Sequence, residues 1–361
     1  RRDLDRFLAC IGLLDDADPV FRRGRQVPGI GALVAIPALL DTGVYDIARK
    51  FYGSIGPAFY GLRTSITMLL LMSLLRIKRP EALKEHSPAE RGKLQRLAAA
   101  GCAADFGRAL ATHRVAHRGH ALGFLYVDGH VRAYHGKRAI PKTHVARMRI
   151  AMPATTDFWV NDAGGEPLFV VPTEANPSLV RALPGILDEV RRVVGGRRTT
   201  VVFDRGGWSP ELFARILPDF DILTYRKAPW DKLDEDTFVE YRATLDGHDV
   251  CYRLADQDIH ITYGRKQQHS LALRQITRLS DDGHQTPVVT SRRDLSAIEL
   301  AHRMFERWRQ ENFFKYLREE YALDALVDYG TEAADAERTV PNPARARADA
   351  EFRKARAELK G

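Results

Sequence analysis

FLYVDGHVRAYHG, residues 124–136, is an apolar run interrupted at its centre by Asp128 and Gly129. Asp-Gly between two strand-like runs is a favoured two-residue hairpin turn, because both positions tolerate positive φ. ALGFLYVD and HVRAYHG then read as two strands, which leaves the question why a carboxylate stands where a buried strand should hold Val or Ile. Taken alone the stretch favours the turn. The rest of the chain has to decide.

Upstream, residues 1–118 read as helical. GALVAIPALLDTGVYDIARKFYGSI and SITMLLLMSLLRI carry helical apolar spacing, and EHSPAERGKLQRLAAAG reads as a Ser-capped basic helix. Downstream, DFWVND and EPLFVVPTE form a strand pair around Gly164-Gly165, and SLVRALPGILDEVRRVV a helix. TTVVFD is a short buried strand, SPELFARIL a helix with Ser209 as N-cap and Pro210 at N1, and FDILTYR another strand. A strand-helix-strand unit over 199–225 implies a parallel pair. From 229 to 293 short alternating runs (TFVEYRATL, HDVCYRLA, DIHITYG, SLALRQITRL) predict a β-rich insertion. A strong helix follows over 294–320, and the tail 331–361 is charged and helical.

The 361 residues suffice for an ample core, and 45% hydrophobic with 28% charged residues is ordinary for a globular protein. A net charge of +8 and a pI near 9.4 favour a polyanionic partner. Cys10, Cys102 and Cys251 lie far apart, which suggests neither disulfide framework nor thiolate zinc site and fits a reducing cytoplasm. The longest apolar run, 66–77, is too short to span a bilayer, so no membrane is expected. No signal peptide or initiator Met is present and the chain ends in a charged helix-like run, which suggests a fragment at both ends.

Three carboxylates stand out. Asp128 is the first. Asp204 closes the apolar strand TTVVFD ahead of Gly206-Gly207, and carboxyl ends of parallel strands are where α/β sheets place ligands. Its bland reading is a capping or turn role. Glu311 lies seven residues beyond Met304 on the apolar stripe of Ala301, Met304, Phe305 and Trp308, along with Arg307 and Arg318. A carboxylate on such a face is costly unless paired or metal-bound, and a buried ion pair with Arg307 is the competing reading. Together the three form a set of hard oxygen ligands of the kind Mg²⁺ prefers.

YVDGH, VVFDRGGWS and RWRQENFFKYLR resemble the Asp-Asp-Glu transposases of bacterial insertion sequences, in particular the subgroup with a β-rich insertion before the Glu and a Tyr-x2-Arg-x3-Glu-x6-Lys signature. The aligned residues here are Met304, Arg307, Glu311 and Arg318; Met replaces Tyr and Arg replaces Lys. The resemblance covers 120–330. It implies a ribonuclease-H-like α/β sheet flanked by helices, with Asp128, Asp204 and Glu311 as catalytic residues holding two Mg²⁺ ions, for which Mn²⁺ would substitute. It also implies Arg307 and Arg318 at DNA phosphate or steadying the Glu, and Asp128 on the first core strand. The implied partners are transposon ends and target DNA, with a second copy of the chain in a synaptic complex. The expected organisation is a DNA-end-binding helical region (1–118), a core (119–228), the insertion (229–293), the core helix (294–330) and the tail (331–361). A catalytically decayed DNA-binding remnant, or a hydrolytic nuclease on the same core, are the alternatives.

Other features read more plainly. His113, His117 and His120 have helical spacing but no acidic or cysteine partner at a zinc-site distance, so a solvated or phosphate-facing surface is expected. His130 is either a neighbour of the metal ligands or a residue packed in the sheet. The pairs Arg197-Arg198, Arg226-Lys227, Arg265-Lys266 and Arg292-Arg293 would track phosphates or simply lie in solvated loops. Trp230 could stack on an exposed base or fill core. Gly195-Gly196 precedes a strand and lacks a following Lys-Ser/Thr, so no ATP loop is read.

Overall fold

Asp128 and Gly129 do not turn: in the computed structural model they lie inside one strand. The structure describes residues 2–20, 30–77, 96–97, 99–117, 122–135, 139–173, 177–321, 323 and 343–358, with residues 30, 147, 308–312, 343, 346 and 357 described by backbone alone. The Ser-capped basic helix expected over 85–101 falls largely outside them, as does His120.

The chain begins with helices α1 (Asp3–Cys10), α2 (Ile36–Asp41), α3 (Val44–Tyr52), α4 (Leu62–Leu74) and α5 (Ala103–His117). Strands β1 (Phe124–Ala133), β2 (Lys142–Val145), β3 (Ile150–Asn161) and β4 (Pro167–Thr173) follow. Then come α6 (Leu179–Val194), β5 (Thr200–Phe203), α7 (Pro210–Ile216) and β6 (Asp221–Tyr225). The insertion supplies β7 (Val239–Leu245), β8 (His248–Tyr263), β9 (His269–Leu279) and β10 (Gln285–Thr290), and α8 (Ala297–Phe305) and α9 (Trp308–Tyr321) come after it. A second unit contributes the exposed helix α10 (Pro343–Glu358). Among the described residues no single helix is long and apolar enough to cross a membrane.

The result is a mixed α/β protein with a ten-stranded sheet of order β2-β3-β1-β5-β6-β10-β9-β8-β7, in which β4 also pairs with β3. β1, β5 and β6 run parallel through buried apolar segments, and every other pairing is antiparallel. The alternation of side chains splits the core. Leu125, Val127, Val201 and Phe203 face α5, α6 and α7, where Ala111, Val115, Leu183, Val190 and Phe213 are buried. Tyr126, Val202 and Leu223 face the other way, against Ala297, Ala301 and Met304 of α8. The early helices α3 and α4 build a smaller cluster around Val44, Ala48 and Ile66. Asp16 sits at the start of α4, accepting from the backbone N–H of Gly61 (2.9 Å) and the Thr64 hydroxyl (2.8 Å).

The β-rich insertion extends the main sheet, because β10 pairs with β6 and carries it onward. Two expectations are corrected. HDVCYRLA and DIHITYG are not two strands: β8 runs unbroken for 16 residues, since Asp256 and Gln257 continue the ladder opposite Ile276 and Gln275 while Asp256 and Asp258 are held by Arg274 and Arg293. The helix over 294–320 is broken at Glu306–Arg307, so the seven-residue step from Met304 to Glu311 is not one helical face.

Candidate active site

Parallel pairing sets the site. β1 and β5 are in register through Val127 opposite Phe203, and Asp128 and Asp204 each follow that pair directly. Each therefore sits one residue past a pair at the roughly 5 Å spacing of neighbouring strands. Val127 and Phe203 face α6 and α7, so both carboxylates face the side covered by α8 and α9.

Each carboxylate is oriented locally. Asp128 accepts from the Gly129 N–H at 2.9 Å. Asp204 caps the tight turn Arg205–Gly207 by accepting from the Gly206 N–H at 2.9 Å, so the capping role read from the sequence is real. Gly206 and Gly207 are required there. A Cβ on Gly206 would lie 2.9 Å from the Asp204 carboxylate, and one on Gly207 would lie 2.5 Å from the Phe203 ring.

Arg307 leaves the break between α8 and α9 and places a guanidinium nitrogen 3.5 Å from the Asp128 carboxylate, with 14% of its side chain exposed. This gives Arg307 a carboxylate partner on β1, whereas the competing reading, an ion pair with Glu311, falls outside the described residues. α9 is seated on the sheet by Phe314, whose ring stacks on His130 (5.1 Å) and meets Trp159 edge-on (5.8 Å). Trp159 is the cross-strand neighbour of Asp128. Glu311 lies in α9, and its side chain falls outside the described residues. Arg318 lies on the same helix, 3.9 Å from Glu319, and Trp230 is half-buried in the loop after β6.

Beyond Asp128 the same face carries His130, Arg132 and, on β3, Asp157. Asp157 is only 3% exposed and pairs with Arg132 at 2.7 Å. Burial raises its carboxyl above the ordinary value although Arg132 and His130 pull it down. Sequence reading missed Asp157 and Trp159. The two-residue spacing in DFWVND was their only signal.

The basic pairs divide. Arg198 is held by Asp221 (2.8 Å), Arg292 by Asp294 (2.6 Å), Arg293 by Asp258 (2.6 Å), and Arg226 by Gln275. Arg265 and Lys266 lie exposed at the β8–β9 turn, where the Gly264 N–H donates to Glu211 of α7 at 3.3 Å. The rings of His113 and His117 lie 4.6 Å apart in a tilted contact, and among the described residues no group of three or more His, Cys, Asp or Glu could hold a metal.

The mixed sheet with helices on both faces defines an α/β protein, with the candidate carboxylates directly after the parallel-paired segments of β1 and β5. A family model described as "Transposase protein" matches residues 1–359, and the chain belongs to that transposase family. The cryo-EM structure of a piggyBac transposase synaptic complex with hairpin DNA is similar at a TM-score of 0.35 and 11% identity, over 55% of this chain and 41% of that one. This chain thus spans less than half the length of that protein. No curated protein matches the sequence.

Proposed function

We propose that this transposase works by the Asp-Asp-Glu chemistry of insertion-sequence enzymes, with Asp128, Asp204 and Glu311 as its catalytic residues. The observation that carries the reading is the register that sets Asp128 beside Asp204. The order β4-β3-β1-β5-β6, with three parallel central strands, supports a ribonuclease-H-like core. Phe314 supports Glu311 as the third member: it is three residues further on, hence on the same helical face, and it packs on the β1–β3 surface beside Asp128.

The donor set fits a hard divalent cation. Two carboxylates side by side repel each other unless positive charge is shared between them, and Arg307 already brings one cation to Asp128. When bound, Mg²⁺ or Mn²⁺ would supply a nucleophile at neutral pH and charge stabilisation at the leaving oxygen of a phosphodiester. The chain's own contribution is positional. The Gly129 and Gly206 amides fix one oxygen of each carboxylate, Arg307 steadies Asp128, and α9 roofs the site through Phe314. The substrates are the element's DNA ends, cut to free a 3′-hydroxyl, and target DNA, to which that end is joined. Two copies of the chain synapse two ends, with Arg318 and Trp230 as DNA contacts.

The test is cleavage and joining of end-bearing DNA with Mg²⁺ or Mn²⁺. Asp128→Asn, Asp204→Asn and Glu311→Gln should each abolish both steps, and retained cutting in all three would overturn the assignment. Cleavage without joining would mark a nuclease. The remnant reading, DNA binding without catalysis, draws on Met304, which stands where the subgroup has Tyr and is fully buried as core. It predicts binding indifferent to metal.

A further inference from the structure

The tip of the β7–β8 hairpin is the turn Asp246-Gly247, with φ of +50° and +79° and Leu245 opposite His248. Type I′ turns need positive φ at both central residues, and Asp-Gly supplies it. Asp246 does more than turn the chain. Its two carboxylate oxygens accept from the two terminal nitrogens of Arg303 at 2.9 and 3.3 Å, a bidentate pair. One of them also lies 3.5 Å from Nε2 of His302, which is 2% exposed.

His302 and Arg303 form the last turn of α8, immediately before the break at Glu306–Arg307. That turn is tied to β1 as well. The Tyr126 hydroxyl donates to the Arg303 carbonyl at 3.1 Å, and the Arg303 guanidinium lies over the Phe124 ring at 5.4 Å. The Glu306 N–H closes on the His302 carbonyl at 2.9 Å, and the next residue is Arg307, which reaches Asp128. A continuous chain of contacts thus runs from the hairpin tip through the end of α8 to the first carboxylate.

We propose that Asp246 is a positioning residue of the transposase site: by gripping Arg303 and His302 it fixes where α8 ends, and so sets Arg307 against Asp128 and the start of α9 over β1. This rests on the assignment of Asp128 to catalysis. It gives the insertion a mechanical role, that of a clamp from the edge strands of the sheet on the connector into α9. A side chain misplaced by about 1 Å in such a site costs on the order of a hundredfold in rate.

The test separates the grip from the turn. Asp246→Gly deletes the carboxylate yet keeps positive φ, and Asp246→Asn keeps one acceptor without the charge. Hydrogen exchange, read on the whole chain without metal or DNA, should show amides of residues 304–314 exchanging about tenfold faster in Asp246→Gly, with β5 and β6 unchanged. Asp246→Asn should fall between. Metal-dependent cleavage should drop in the same order while DNA affinity holds. Unchanged exchange at 304–314, or equal acceleration throughout the sheet, would overturn the proposal. If the wild-type chain shows no metal-dependent cutting, the site assignment fails, while the exchange measurement still decides whether Asp246 holds the connector.

Discussion

At the scale of single residues, the same dipeptide behaves in two ways. Asp246-Gly247 turns the chain, whereas Asp128-Gly129 runs straight through β1 with neither residue at positive φ. The difference is pairing. β3 offers partners from Asn161 to Ala154 along all of β1 beyond Leu125, and that ladder wins over a local hairpin. Gly129 lies under Phe158, where a Cβ would meet the ring at 3.2 Å, so Gly129→Ala should cost less than about 1 kcal/mol by thermal melting. Gly207→Ala should cost more, about 1–3 kcal/mol, because the buried Phe203 ring has to move. His302 gives a pH signature. Burial lowers its pKa from 6.5, although Glu306 and Asp246 pull the other way and Arg303 adds to the lowering. The unfolded chain then takes up the proton first, so stability is present above 6.5 and lost as pH falls below it. Thermal melts from about pH 7 to about pH 5.5 should show a shallower loss in His302→Gln than in the parent.

At the scale of elements, the caps were readable and the breaks were not. Ser209 caps α7 as its sequence predicts, accepting from the Leu212 N–H at 3.2 Å. Ser209→Ala should lower stability by about 1 kcal/mol in denaturant unfolding. The loss bears on the site, because Phe213 of α7 backs the Phe203 ring beneath Asp204. The break between α8 and α9 has no Gly or Pro to announce it. It forms where Arg307 reaches Asp128 and the end of α8 is tied to Tyr126 and Asp246, all contacts to residues distant in sequence.

At the scale of the whole molecule, the basic pairs are not equally available to DNA: Arg198, Arg292 and Arg293 are held by carboxylates and Arg226 by Gln275. Arg265 and Lys266 are exposed beside α7, the helix that follows Asp204. Binding to end-bearing DNA should weaken steeply with salt. Replacing both residues by Gln should flatten the slope of log affinity against log salt by roughly 2, measured by a salt titration of binding.

The amino-acid sequence by itself determined the strand-helix-strand unit, the N-cap of α7, the β-rich character of 229–293 and the transposase resemblance, because these rest on local periodicity, turn chemistry and fixed motif spacing. Only the tertiary structure decided that β1 continues through Asp128, that the insertion joins the main sheet, and that Arg307 reaches Asp128. Each of those depends on which distant partner a backbone or side chain finds. Pairing between segments far apart in sequence is settled by competition among all available partners, and no local pattern encodes its outcome.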